Sequence, residues 1–460
     1  MEEKKIPIKN KNKVTFKSKL GVIFATAGSA VGLGNIWHFP TTCGQSGGAA
    51  FILLYLGITL VLGVPGMLSE FIIGRNSAKN SFAAYKEAGG KKAWGTVGIM
   101  GALCSALILG FYSVIAGWCL YYLYLAITDN VIGTSEQITT TFGNLMSPDN
   151  YVPCLLSVVF ILFTHFIIVR GVRKGIELAS KIMVPTLIFL LILLIGASCT
   201  LDNAWSGIEF LFKPDFSQLD SHIVFMALGE AFFSLSLGTA CLCTYASYFK
   251  DEVNIVKSTT QIVSIDILVA IMAGLMIFPA AFSVNVQPDA GPSLVFMTMP
   301  NVFNHAFPHA VAYIISTLFY LLLTIAALTS TISMHEIGTA IISQETKLSR
   351  TQGAYCMTVF CALVGILSAL SMSHEGWGLF GMSFFDNFDK LTANIMLPLG
   401  GLLSLFIVGW IMQKEKVMDQ LTSYGRFKAF APLVSLFYVL ARFICPILIV
   451  CIFMSKIGVI

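Results

Sequence analysis

The sequence predicts an all-α membrane protein with eleven transmembrane helices. Three observations carry this. Of its 460 residues, 56% are hydrophobic and only 11% charged, whereas about a quarter of a soluble domain is charged. Apolar runs of about 20 residues, the length that crosses a bilayer as a helix, recur along the whole chain. The basic residues between them fall almost entirely into alternate loops.

In chain order, the first five spans are predicted at 19–41, 49–73, 93–127, 151–169 and 176–199. The other six are predicted at 222–249, 256–284, 308–343, 351–371, 384–412 and 430–455. Counted together with the first two turns of the span that follows, the tail before the first span holds seven Lys or Arg. The loops after spans 2, 4, 6, 8 and 10 hold five, four, two, two and four, which places 24 of the 28 basic residues on one side. By the positive-inside rule the N-terminus is cytoplasmic and, after eleven spans, the C-terminus is outside. The expected organisation is a basic tail (1–18), a five-helix repeat (19–200), a second five-helix repeat (222–412) and helix 11 (430–456). The apolar first span carries several glycines and no small-residue cleavage site, so no removable signal peptide is expected.

The same composition argues against other classes. The +4 net charge is spread over short loops, so no nucleic-acid partner is expected. The eleven cysteines lie mostly in apolar segments without zinc or disulfide spacing, which reads as small core residues. There is no HExxH or GxSxG motif, and no enzyme is expected.

Two spans are poor helices. Span 1 contains GSAVGLGN (28–35) and span 6 contains GEAFFSLSLGTA (229–240), in which Ser234, Ser236 and Gly238 interrupt an apolar run. Each opens a block of five spans. Interrupted spans at corresponding positions of two halves point to a transporter binding site. Unwound backbone survives at membrane depth only where protein or a water-filled cavity satisfies it. Close packing through Gly28-xxx-Gly32 would explain one glycine stripe, but neither Asn35 nor the second break. Asp266, deep in span 7, is a charge in an expensive place and so a functional candidate.

With both breaks in hand, the chain resembles the neurotransmitter:sodium symporter family, in particular its eleven-helix bacterial amino-acid transporters. The resemblance rests on AGSAVGLGNIWHFP (27–40), GVPGMLSEFIIGR (63–75), FYSVIAGW (111–118), AFFSLSLG (231–238), TYASY (244–248), ALTSTIS (327–333) and KLSR (347–350), in family order. It implies a 5+5 inverted repeat, broken helices 1 and 6, one extra helix, and sodium-coupled symport by alternating access. It implies two sodium sites and no organic cofactor. The first site would use Ala30, Asn35, Ser234 and Asp266, completed by the substrate carboxylate. The second would use Gly28, Val31, Ala326, Thr329 and Ser330. Oxygen ligands of these kinds suit a hard cation. Taken alone, Thr329 and Ser330 would be read as bonding to the preceding turn.

Chloride-dependent relatives usually have Asn at the position of Asp266, so this chain is expected to supply that negative charge itself and not to require chloride. The implied substrate contacts are Ser29, Ala30, Gly32, Leu33, Gly34, Ile108, Tyr112, Phe232, Phe233, Ser234, Ser236, Thr239, Ser330 and Met334. Tyr112 would bond the substrate carboxylate and Phe233 would lid the pocket. Monoamine carriers have Asp where this chain has Gly32, which favours an α-amino acid. Thr239 and Met334 suggest room for a bulky neutral side chain, hydrophobic or aromatic.

The gates depart from the family pattern. The outer gate pairs His38, in place of a permanent cation, with Asp389, and Glu230 bridges them. Either closure depends on pH, since histidine titrates near 6.5, or His38 is neutral and structural. The inner gate has Lys13 and Gln344 in place of an Arg–acid pair, with Glu345 adjacent and Phe16 in the usual Trp position. Glu70 is read as a buried support for the break in span 6. The expected partners are a small amino acid and the lipid bilayer of the inner (plasma) membrane, with the chain a monomer or weak dimer. An ion channel or a non-transporting amino-acid sensor are the alternatives. A channel would need a continuous pore-lining filter rather than two midplane breaks.

Overall fold

The computed structural model describes residues 14–284, 293–374, 376–427 and 431–456, with the side chains of Gln218, Ala431, Pro432 and Lys456 left out. Lys13, most of the 1–18 tail and Phe430 lie outside the described residues. Besides helices and the turns and loops that join them, the described chain has one short antiparallel hairpin, Gly378–Leu379 with Met382–Ser383.

Nine described helices are long and apolar enough to cross a membrane. They are Ala49–Ser77, Lys92–Ile127, Val152–Val169, Val172–Cys199, Ile255–Ser283, His309–Glu345, Arg350–Ser373, Phe384–Ile411 and Leu433–Ser455. A tenth forms when Lys19–Ala30 and Gly34–Gln45, bent by 53° at their junction, are taken together. The predicted sixth span is not one helix. It is Ser221–Ser234 followed by Cys241–Ser247, each too short to cross alone. Short helices at Ser81–Gly89, Ser135–Leu145, Ala204–Phe212, Met299–Ala306 and Lys414–Leu421 fill the connections. Hydrophobic periodicity tuned to membrane spans passes over them.

Polarity is turned inside out, as a lipid environment demands. Leu155, Phe166, Ile182, Leu363 and Ile447 are exposed on the outer wall, while Asn35, Glu70, Arg75, Asp266, His335 and Glu336 are buried. Small residues let the central helices approach closely. A side chain on Gly110 would strike Val364, and one on Gly117 would strike Leu156. All eleven cysteines are free and seven are buried, in keeping with a packing role.

Candidate functional site

The two breaks face each other. The first helix stops at Ala30 because Val31 turns extended (φ −73°, ψ 109°), and a new helix starts at Gly34. The second break passes through left-handed backbone at Ser236, Gly238 and Ala240. Ser236 Oγ donates to the Ser29 carbonyl at 3.0 Å, stitching one break to the other.

The freed backbone of the second break is satisfied by side chains from elsewhere, which meets the accounting that membrane depth imposes. Glu70 accepts from the Gly238 N–H at 2.7 Å and from the Cys243 N–H at 3.3 Å, so it supports this break as the sequence suggested. Ser105 Oγ donates to the Thr239 carbonyl at 3.2 Å. Gly238 tolerates no side chain, since a Cβ would sit 2.1 Å from the Leu397 carbonyl.

Beside the first break lies a fully buried polar knot centred on Asp266. Its carboxylate accepts from Asn35 Nδ2 (2.7 Å), Ser234 Oγ (2.9 and 3.0 Å) and Tyr55 OH (3.1 Å). Asn35 Oδ1 accepts from the Gly32 N–H at 3.0 Å, tying the knot to the unwound turn. The structure therefore gathers Asn35, Ser234 and Asp266 at one place. Tyr55 is a member that the sequence reading missed, because a single Tyr in an apolar helix carries no signal of what its hydroxyl meets.

The second implied cation set comes together in part. Thr329 Oγ1 lies 3.0 Å from the Val31 carbonyl and 2.8 Å from the Ala326 carbonyl, and its Cβ is 3.5 Å from where a Gly28 Cβ would be. Ser330 turns instead toward Gly32. A Cβ on Gly32 would lie 2.2 Å from Ser330 Oγ. The first set offers carboxylate, amide and hydroxyl oxygens and the second hydroxyl and carbonyl oxygens, the donors a hard monovalent cation takes. No group of three or more His, Cys, Asp or Glu side chains that could hold a transition metal occurs among the described residues.

Between the breaks lies a pocket of about 40 Å³ lined by twelve of the fourteen implied substrate residues. Leu33 and Phe232 are the exceptions and line a larger cavity of about 560 Å³ on the side away from the basic loops. Successive helical residues point about 100° apart, so Phe232 and Phe233 cannot both face the small pocket. Phe232 packs where a side chain on Gly401 would be. Leu397 is an additional lining residue, and an apolar residue in an apolar span gives no hint of this. Tyr112 accepts from the Leu33 N–H at 3.3 Å. Gly34, Tyr112, Phe233 and Leu397 line both spaces, so Phe233 stands between them.

His38, Glu230 and Asp389 all line the larger cavity. His38 Nδ1 is 2.5 Å from Glu230 Oε2, and its ring lies 5.6 Å from that of Phe233. Glu230 is buried, and its other oxygen has no hydrogen-bond partner. On the basic-loop side, Phe16 is buried between Tyr245, Tyr248 and Phe249. Gln344 and Glu345 bond Asn80, the N-cap of helix Ser81–Gly89. Two further contacts on this side were not anticipated. Glu177 accepts from the Lys17 and Ser18 N–H groups (2.7 and 3.2 Å) and from Lys181, clamping the start of the first helix. Glu336 pairs with Arg350 and accepts from Tyr248 OH at 2.6 Å.

Comparison with known proteins matches this arrangement to one family. The profile of the sodium:neurotransmitter symporter family matches residues 13–144 and 150–460. The chain belongs to that family. Among its relatives is the uncharacterized sodium-dependent transporter YhdH of Bacillus subtilis (strain 168), 39% identical over 450 residues, which covers 97% of this chain and 98% of that protein. An uncharacterized sodium-dependent transporter of Haemophilus influenzae is 32% identical, covering 97% and 99%. The solved structure of MhsT in complex with L-phenylalanine superposes with a TM-score of 0.87 at 36% identity, covering 96% of this chain and 99% of that one. The symporter is thus a multi-pass, sodium-dependent membrane transporter and not an enzyme.

Proposed function

We propose that this symporter imports a neutral α-amino acid with a bulky hydrophobic or aromatic side chain, coupled to sodium and independent of chloride. The observation that carries the reading is Gly32. With Ser330 Oγ 2.2 Å from where its Cβ would be, no acidic side chain fits there. Asp266 is the one anionic group the protein supplies beside Asn35 and Ser234; a second anionic oxygen at that place would come from the cargo, and an α-carboxylate provides one. Tyr112 would hold that carboxylate, and carbonyl ends of the broken helices would take the ammonium.

The far wall of the pocket, with Ile108, Thr239, Met334 and Leu397, carries no charge, which supports a neutral side chain. The closed pocket has space for about one or two waters, so a bulky cargo would displace Phe233 and the flexible Met334. The L-phenylalanine bound to MhsT supports that size class. Two sodium sites follow from the two oxygen sets. The three donors around Asp266 support a fixed negative charge that replaces chloride. In this reading the bent first pair and the divided sixth span complete eleven crossings in two inverted repeats plus one helix. The N-terminus is cytoplasmic and the C-terminus outside the cell membrane.

Uptake of labelled amino acids into proteoliposomes under a sodium gradient tests the proposal. Phenylalanine, tryptophan, tyrosine or leucine should compete most strongly among the twenty amino acids. Strongest competition by glycine, aspartate or lysine would overturn the substrate class, and uptake indifferent to sodium would overturn the coupling.

A further inference from the structure

Arg442 is the only charged residue within the apolar helix Leu433–Ser455. It does not point into the protein's polar interior. Its neighbours Leu436, Val439 and Phe443 are all about half exposed on the wall that faces lipid, and so is Trp410 on the adjacent helix. A cation at such a wall is costly unless it is paired or reaches the membrane surface. Among the described residues no acid pairs with Arg442 within ion-pair distance. Glu415, which is near enough to act on Tyr438, makes no ion pair with it.

The guanidinium is nonetheless firmly held. Nε donates to the Gly409 carbonyl at 2.6 Å, and Cζ lies 5.3 Å from the Trp410 ring centre and 4.9 Å from that of Tyr438. Trp410 Nε1 donates to the Arg442 carbonyl at 3.4 Å. Gly409 makes this fit possible, because a Cβ there would press to 3.1 Å from Arg442 Cγ. The Nη edge of the fork donates no hydrogen bond within the described protein. A charge has been positioned, by a carbonyl and two aromatic faces, with its most phosphate-like edge left open.

Gly409 and Trp410, which hold the guanidinium, lie in the last turn of Phe384–Ile411, at its basic-loop end. Phe406, one turn before Trp410, stacks on Trp94 at the start of helix Lys92–Ile127. Just beyond Ile411 the chain enters Lys414–Leu421, whose first residues include the exposed Lys414 and Lys416. Trp and Tyr at this level mark a bilayer interface. Basic pockets between transmembrane helices at such a rim suit anionic head groups.

We propose that Arg442, framed by Gly409, Trp410 and Tyr438, binds the phosphate of an anionic phospholipid in the leaflet on the basic-loop side. The guanidinium fork matches two phosphate oxygens. The ring faces are already occupied by the guanidinium, so they are not open to the ammonium of a zwitterionic head group. Lys414 and Lys416 add positive charge where the rest of an anionic head group would lie. This assignment does not depend on which amino acid is carried.

The full-length protein in nanodiscs, with and without phosphatidylglycerol in phosphatidylcholine, provides the test. Native mass spectrometry should find one phosphatidylglycerol retained through delipidation, and the thermal midpoint should be higher with that lipid. Arg442→Gln should lower retention about tenfold, the worth of one good charge-assisted contact, and abolish the lipid-dependent shift. Gly409→Ala, whose methyl would crowd Arg442 Cγ at 3.1 Å and shift the side chain by a few tenths of an ångström, should lower both in the same direction, so the test stands if Arg442→Gln does not fold. Arg442→Lys should keep part of both effects. Equal retention of phosphatidylcholine, or wild-type retention in both Arg442→Gln and Gly409→Ala, would overturn the proposal. So would a midpoint raised as much by inorganic phosphate alone, which would make this a simple anion site.

Discussion

Gly32→Ala is the most decisive single change in the pocket. The added methyl would lie 2.2 Å from Ser330 Oγ, 3.3 Å from Ser330 Cβ and 3.6 Å from Tyr112 OH. Comfortable carbon contacts begin at about 3.5 Å, so the Ser330 hydroxyl must retreat by about 1 Å. Overpacking of this kind costs about 1–3 kcal/mol, or a 5- to 150-fold weakening at about 1.4 kcal/mol per decade. Adding Ser330→Ala removes the clashing oxygen and leaves a contact at 3.3 Å, short by only a few tenths of an ångström. The double mutant should therefore recover most of the stability lost by Gly32→Ala. Thermal unfolding of the purified single and double mutants, read as a double-mutant cycle, is the right assay, because Ser330 is also a candidate sodium ligand and uptake would mix the two roles. A Gly32→Ala protein with wild-type melting and amino-acid affinity would refute the steric reading. So would losses by the two single mutants that simply add.

Three further outcomes are expected. Replacing chloride by gluconate in the proteoliposome assay should leave uptake unchanged, whereas Asp266→Asn should make it chloride-dependent; a large gluconate effect on the wild type rules out Asp266 as the replacement charge. A protonated His38 forms an ion pair with the buried Glu230, and loss of its proton, within the range of about pH 5–8 where histidine changes charge, removes the cation from that pair. Uptake across that range should vary in the wild type and flatten in His38→Arg, and identical profiles would make His38 a neutral structural residue. Glu70→Ala leaves the Gly238 and Cys243 N–H groups unpaired in the interior at about 1–3 kcal/mol each. It should unfold at lower temperature and lose transport, while Glu70→Gln, which can still accept from Gly238, should retain part of both.

What the sequence disclosed was the set of residues that violate the membrane's rules. The glycines and Asn35 of the first span, the serines and Gly238 of the sixth, and the carboxylates of Glu70 and Asp266 stand out because lipid tolerates none of them without a reason. The structure gathers these residues around two breaks. Residues that obey the rules stayed hidden. Leu397 looks like any lipid-facing leucine, and the Tyr55 hydroxyl matters only because helix packing aims it at Asp266. Phe232 and Phe233 are adjacent and alike, and only helical direction separates the one that packs on Gly401 from the one that faces the pocket. The Glu177 clamp joins residues about 160 positions apart, a distance at which local pattern says nothing.

Phe233 has a consequence for the pace of the cycle. It separates the small pocket from the wide cavity by the thickness of one ring, and moving a ring is a side-chain event of fast timescale. In the proposed import cycle, departure toward the basic loops would require the start of the first helix to leave Glu177 and the aromatic nest around Phe16, a collective motion of microseconds to milliseconds. The molecule has a thin door on one side and a thick wall on the other. Cargo should enter and leave the door many times for each passage through the wall, so discharge rather than capture should limit turnover and carry the steeper temperature dependence.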